Sequence, residues 1–251
     1  MRALLLILTA LCLAACAGTT GGDAAGGGTA YQATYDARLA DKTQFGRVVI
    51  APVNFGKPSR NYLAEHEARI DRMVAKRLEA AGYEVLPSEL FETAWKDGVR
   101  KWGEPYNPGT GRLNETVFQY VLSETVNALA AEGRVQAIVF TNLEEMQVYF
   151  SPSGNHQAHF LGVSRRPSSR GGEGVPADFD WVQGVDAVGL YVNVFDLKLQ
   201  RLFNGAGGIE VTEYLNLKPS TPRWTREKNV LDNQSFLDEG LDLALKPWLK
   251  P

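Results

Sequence analysis

Apolar positions along the chain fall into blocks whose spacing alternates between strand-like and helical. The run RVVIAPV, Arg47 to Val53, is β-branched and closed by Pro52 and a polar turn, so it reads as a buried strand. Beyond it, Ile70, Met73, Val74, Leu78 and Ala81 recur on one helical face. This spacing predicts a helix from about Tyr62 to Ala81, with Gly82 at its stop. Tyr83 to Pro87 reads as a second strand, and Ser88 is placed to cap a helix over about Glu89 to Val99. Strand, helix, strand, helix is a βαβ arrangement, so its two strands should lie parallel.

Trp102 to Arg112 is dense in Pro and Gly and reads as a loop. Asn114 follows as an N-cap, with Leu113 and Phe118 spaced for a hydrophobic staple. Phe118, Val121, Leu122, Thr125, Val126 and Leu129 form one stripe, and Gly133 ends the helix. Val135 to Leu143 is another buried strand, continuing to about Phe150. Residues 156–166 alternate weakly, and 165–178 carry Gly, Ser, Pro and Arg without a period, which predicts a mobile loop. Val188, Leu190, Val192 and Val194 then share one side of a strand, with Tyr191, Asn193 and Phe195 on the other. A turn near Asp196 to Gln200 leads into an antiparallel partner strand, and Phe236, Leu237, Leu241, Leu243, Ala244 and Leu245 mark a closing amphipathic helix. The fold class is α/β: a mixed parallel/antiparallel sheet of about five strands with helices on at least one face.

The first residues have a different texture. Leu4 to Ala15 is apolar but far short of the roughly 20 residues that cross a bilayer. Arg2, the Leu-rich run and Ala14-Ala15 have the layout of a secretion signal. Leu13-Ala14-Ala15-Cys16 resembles the lipobox of bacterial lipoproteins, which implies a signal peptide at 1–15 and a lipid on Cys16. The chain holds two cysteines, and Cys12 lies inside the apolar run, so cleavage leaves Cys16 without a disulfide partner. Ala17 is not the Asp that retains enterobacterial lipoproteins in the inner membrane, which points to the outer membrane, facing the periplasm. Residues 17–30 are Gly, Ala and Thr with one charge and read as a tether. The expected organisation is a lipidated cysteine and tether over 16–45 and a single folded domain over 46–251.

Composition is ordinary for a globular protein, 44% hydrophobic and 22% charged. The net charge is −3, and −4 without Arg2, which argues against binding to nucleic acid through phosphate neutralisation. RVVIAPVNF, the long helix and AAGYEVLP, with the late DAVGLYVNVFDL hairpin, resemble the periplasmic α/β modules of penicillin-binding-protein activator lipoproteins. The amino-terminal domain of the Tol translocation protein and the curli secretion lipoprotein are similar. The resemblance covers about residues 46–143 and 185–212 and implies a non-catalytic envelope component.

Chemistry-bearing motifs are few. No GxSxG or HExxH is present, and NGAGG, Asn204 to Gly208, leads into strand-like sequence, so it reads as a bulge or edge bend. His156 and His159 are the best metal candidates but would point to opposite faces of a strand, and neither a metal nor a cofactor is expected. Two groups could contact a partner: the aromatic residues Trp95, Trp102 and Tyr106, and the arginines Arg165, Arg166 and Arg170. The leading expectation is a lipid-anchored module that binds another envelope protein. An anchored hydrolase using scattered carboxylates or histidines, and an oligomeric secretion channel, stand as alternatives, and oligomeric state stays open.

Overall fold

In the computed structural model, residues 31–51, 61–151, 155–172, 174–218, 221–246 and 248–249 are described. The chain opens with β1 (Thr34–Tyr35), a 3-10 turn (Ala37–Ala40), α1 (Lys42–Phe45) and β2 (Arg47–Ala51). α2 (Asn61–Ala80), β3 (Glu84–Leu86), α3 (Glu89–Trp102), α4 (Glu115–Glu132) and β4 (Ala137–Val148) follow. Short strands come next: β5 (Ala158–Phe160), β6 (Val163–Arg165) and β7 (Ser169–Arg170). β8 (Val185–Asp196), β9 (Arg201–Val211), β10 (Glu213–Asn216), β11 (Arg223–Arg226) and α5 (Gln234–Leu245) close the fold.

Six strands form the main sheet in the order β1-β9-β8-β4-β2-β3. β2 pairs parallel with β3 and β4, as a βαβ unit requires, and β4, β8, β9 and β1 pair antiparallel. Alternate residues of β2 and β4 feed two cores. Val48, Ile50, Ala137 and Val139 pack under α2 and α5 with Leu63, Ile70, Leu78, Leu237 and Leu241. Val49, Ala51 and Ile138 pack under α3 and α4 with Phe91, Phe118, Leu122 and Leu129. The expected α/β class therefore holds, with helices on both faces. α4 begins at Asn114, whose side chain accepts from the Val117 N–H, and stops at Gly133 in the left-handed region (φ 70°). Ser88 does not act as a cap: its backbone is already helical and its side chain makes no capping bond.

The sheet gains its sixth strand from a segment expected to be tether. Residues 31–45 belong to the fold: β1 pairs with β9, Leu39 is fully buried, and Phe45 is buried beside it. A two-residue strand and two single helical turns have no period to read, which is why 16–45 looked featureless. Residues 1–30, with the leader, Cys16 and the tether proper, lie outside the described residues, as does the turn after β2.

Glycines in β9 let α5 rest on the sheet backbone to backbone. A Cβ on Gly207 would sit 2.0 Å from the Gly240 carbonyl oxygen, and one on Gly205 would sit 2.1 Å from that of Ala244. NGAGG itself pairs in unbroken register, and the expected bulge falls just outside it, at Ile209 opposite Val188/Gly189, with a second at Leu202. There the hairpin of β5 and β6 docks, the Gly208 N–H donating to the Leu161 carbonyl at 3.0 Å.

The short strands build an annex at the end of the main sheet. β11, β10 and β7 form a three-stranded sheet, β7 parallel to β10. Its core is separate: Val148, Phe150, Ala158, Phe160, Val163, Val185 and Ala187. The expected loop at 165–178 thus begins in structure, with Arg165 closing β6 and Arg170 in β7. No helix of the described residues is long and apolar enough to cross a membrane.

Candidate functional site

Beyond Val148 the chain leaves the main sheet and drives Phe150 into the annex, where it is fully buried. Its ring stacks on Trp224 of β11 at 5.3 Å and meets Trp181 edge-on at 6.3 Å. Phe179 stands edge-on to Trp181 at 5.1 Å. His156 lies flat on Trp181, with centroids 4.0 Å apart and 12° between planes. His156 has φ +47°, in the left-handed region, and its Nδ1 lies 3.0 Å from the Ser151 carbonyl oxygen. That oxygen can only accept, so Nδ1 carries the proton and Nε2 is the acceptor in the neutral ring.

Of these rings, His156, Phe179 and Trp181 wall a cleft of about 660 Å³, lined also by Pro167, Ser168, Ser169, Val175, Pro176, Ala177, Asp180, Val182 and Leu215. The size falls within the roughly 300–1,000 Å³ typical of ligand pockets, and the lining combines aromatic rings with a few polar groups. Val182 on its wall is 59% exposed. Tyr149, 57% exposed, has its ring against Gly184, two residues farther on. The Trp224 indole N–H is buried with no acceptor among the described residues.

Residues expected to act together are separated. Trp95 packs between Phe91 (5.9 Å) and Phe118 (5.7 Å), and Tyr106 meets Phe118 edge-on at 6.3 Å, so both belong to the core under α3 and α4. Trp102 is exposed, but its companion is Tyr120, stacked at 4.7 Å. Their three-residue patch therefore does not form. Leu113 is exposed and bridges to Tyr106.

The three arginines do not converge either. Arg165 is buried at the seam between annex and body: its Nε donates to the Ile209 carbonyl at 2.6 Å, and its guanidinium lies 4.0 Å over Phe236 and 2.9 Å from Glu239. Arg170 pairs with Glu227 at 2.8 Å and covers Tyr214. Arg166 is exposed next to Pro167 of the cleft wall. His159 sits in β5 with its Nδ1 on the Ser164 hydroxyl, 2.7 Å away. Among the described residues, no three His, Cys, Asp or Glu side chains converge as a metal-holding group.

A second polar cluster ties annex to body. Arg226 of β11 bonds Glu145 of β4 and Asp186 of β8, each at 3.0 Å, and lies 4.2 Å over the Tyr62 ring. Burial pushes the Tyr62 phenol up to about 12, and its 2.8 Å hydrogen bond to Glu145 adds to the shift, so Tyr62 stays a neutral donor. Burial also raises the Asp186 carboxyl, with the Glu145 charge adding to it. Nearby on α2, burial pushes Asp71 up to about 6, against the pull of its Thr141 hydrogen bond and of Arg72. Each of these groups is held by its partners, which suits a clamp.

Sequence reasoning missed the cleft because its lining comes from four separated segments, at 156, 167–169, 175–182 and 215. The one local signal was the aromatic pair in DFDW, Asp178 to Trp181, inside a Gly- and Pro-rich stretch. No protein-family model, curated protein or solved structure matches this chain.

Proposed function

We propose that this chain is a lipid-anchored, non-catalytic binding module of the bacterial cell envelope, held in the outer membrane by Cys16 and facing the periplasm. The aromatic cleft between Trp181 and Pro176 is its site for a protein partner. The observation that carries this reading is the cleft itself: stacked rings, Ser and Asp hydroxyl and carboxylate groups, and an exposed apolar rim on one concave surface. The lipobox-like LAAC motif supports the anchor, and the resemblance to periplasmic α/β lipoprotein modules supports a holding role.

Two measurements test the reading in intact cells. Cys16→Ser should move the protein from the membrane to the soluble fraction, and retention in the membrane would refute the anchor. Crosslinking followed by pull-down should recover a partner from the unaltered chain and lose it with Val182→Asp. Recovery of only this chain as a ring-sized oligomer would favour a channel instead.

A further inference from the structure

The direction in which the chain joins the sheet relates the anchor to the cleft. β1 runs antiparallel to β9, with Thr34 opposite Asn204 and Tyr35 opposite Phe203. Followed backwards from Thr34, the chain points along β9 toward Val211. Val211 lies opposite Ala187, and two residues on, Val185 lies opposite Val148, the last residue of β4. From that end hang Phe150, His156 and Trp181. Tyr31 is already seated on this path, its ring edge-on to Tyr191 at 5.7 Å and its hydroxyl bonded to the Asn204 side chain. From Tyr191 to Val185 is about 20 Å along a strand. The fourteen residues 17–30 span at most about 46 Å. The described chain therefore enters the sheet from the direction of the cleft end, the end that a lipid on Cys16 would meet first.

The chemistry of the cleft selects among occupants near a bilayer. It is concave, so a flat lipid surface does not fill it. Its lining carries the Asp180 carboxylate and, among the described residues, no lysine or arginine. That charge opposes anionic headgroups and complements a basic side chain. The rings of Trp181 and Phe179, with Pro176 and Val175 in the same lining, accept apolar side chains of an extended segment. The twelve residues that line the cleft are fewer than the roughly 20–30 that each partner of a stable complex contributes. Such a site is weak for a freely diffusing partner. It becomes effective when both partners are confined to one layer, where a short tether sets an effective concentration in the millimolar range.

We infer that the cleft faces the membrane and takes an apolar segment bearing a basic residue from a partner protein held at the same bilayer surface. This rests on the anchor and the cleft assigned under the proposed function. The test places the photocrosslinking residue benzoylphenylalanine at Val182 of the lipidated full-length chain in cells. The expected product is a crosslink to one integral or lipid-anchored protein. Inserting a rigid helical spacer of about 30 residues after Gly28, roughly 45 Å long, should cut its yield at least tenfold. Asp180→Lys should do the same with the spacer absent.

An unchanged yield with the spacer overturns the membrane-facing assignment while the cleft and anchor stand. A crosslink to lipid alone, or no crosslink at all, overturns the protein occupant. Release of the Cys16→Ser chain with an undiminished protein crosslink overturns the confinement of both partners to one bilayer surface, and leaves the anchor intact. Retention of the Cys16→Ser chain in the membrane refutes the anchor itself, so the two failures are told apart.

Discussion

The body of the molecule and its annex are stabilised in different ways. The body has two aliphatic cores on opposite faces of a six-stranded sheet, with α5 seated on bare glycine backbone. The annex has strands of two to four residues around a cluster of rings, one of them with a buried indole N–H that meets no acceptor among the described residues. It is joined to the body through Arg165 and Arg226. Regular packing makes the body rigid and leaves little surface for recognition. The annex is less regular and keeps ring faces and an exposed rim within reach of solvent. Binding surfaces are commonly carried this way, on irregular segments positioned by a rigid scaffold.

The largest expected effect comes from breaking the body. Gly207→Val places side-chain atoms where the Gly240 carbonyl already sits, so α5 must lift from β9. A loss of about 4 kcal/mol or more is expected, seen as an unfolded circular dichroism spectrum at 37 °C. Severing the seam comes next. Arg165→Ala removes a buried guanidinium that satisfies the Ile209 carbonyl and pairs with Glu239, at a cost of about 2–3 kcal/mol. Urea unfolding of this variant should show tryptophan fluorescence changing before helical circular dichroism, because Trp181 and Trp224 lie in the annex.

A smaller effect separates the body by pH. The Asp71 carboxyl is raised to about 6 in the fold, so the folded state binds a proton more tightly than the unfolded chain does. Its contribution therefore favours folding below the ordinary carboxylate pKa and is lost as pH rises through about 6. Asp71→Asn should raise stability by about 1–2 kcal/mol at pH 7.5, discounting for partial exposure, and leave it nearly unchanged at pH 4. Thermal melts at the two pH values check the sign. Smallest in stability is Val182→Asp, expected within about 0.5 kcal/mol of the unaltered chain because the side chain is mostly exposed.

The same contrast governs what the sequence made legible. In the body, Asn114 and Gly133 bound α4 as read, and Val188, Leu190, Val192 and Val194 do face one core. Period and capping are local properties, so they survive without knowledge of the partner. Leu39 and Phe45 also serve the body, yet single turns give them no period, so their segment reads as tether. In the annex the important relations join distant positions: Phe150 with Trp224, His156 with Trp181, Arg226 with Glu145. Neither spacing nor composition reports such contacts. Arg165 illustrates the cost, since an arginine in a Gly- and Ser-rich stretch reads as solvated and is in fact buried under Phe236. Trp95 is a further case, a half-buried core ring that sequence alone does not tell apart from a surface one.

The division of labour between annex and body is tested most directly by one paired measurement. Full-length lipidated chains with benzoylphenylalanine at Tyr149 would carry either Val182→Asp in the cleft or Trp102→Ser on the outer helices. Thermal melts would first establish equal stability. The expected result is that Val182→Asp lowers the yield of the partner crosslink at least tenfold and Trp102→Ser leaves it unchanged. Loss of the crosslink with Trp102→Ser and its retention with Val182→Asp would contradict the account and move recognition to the Trp102–Tyr120 stack.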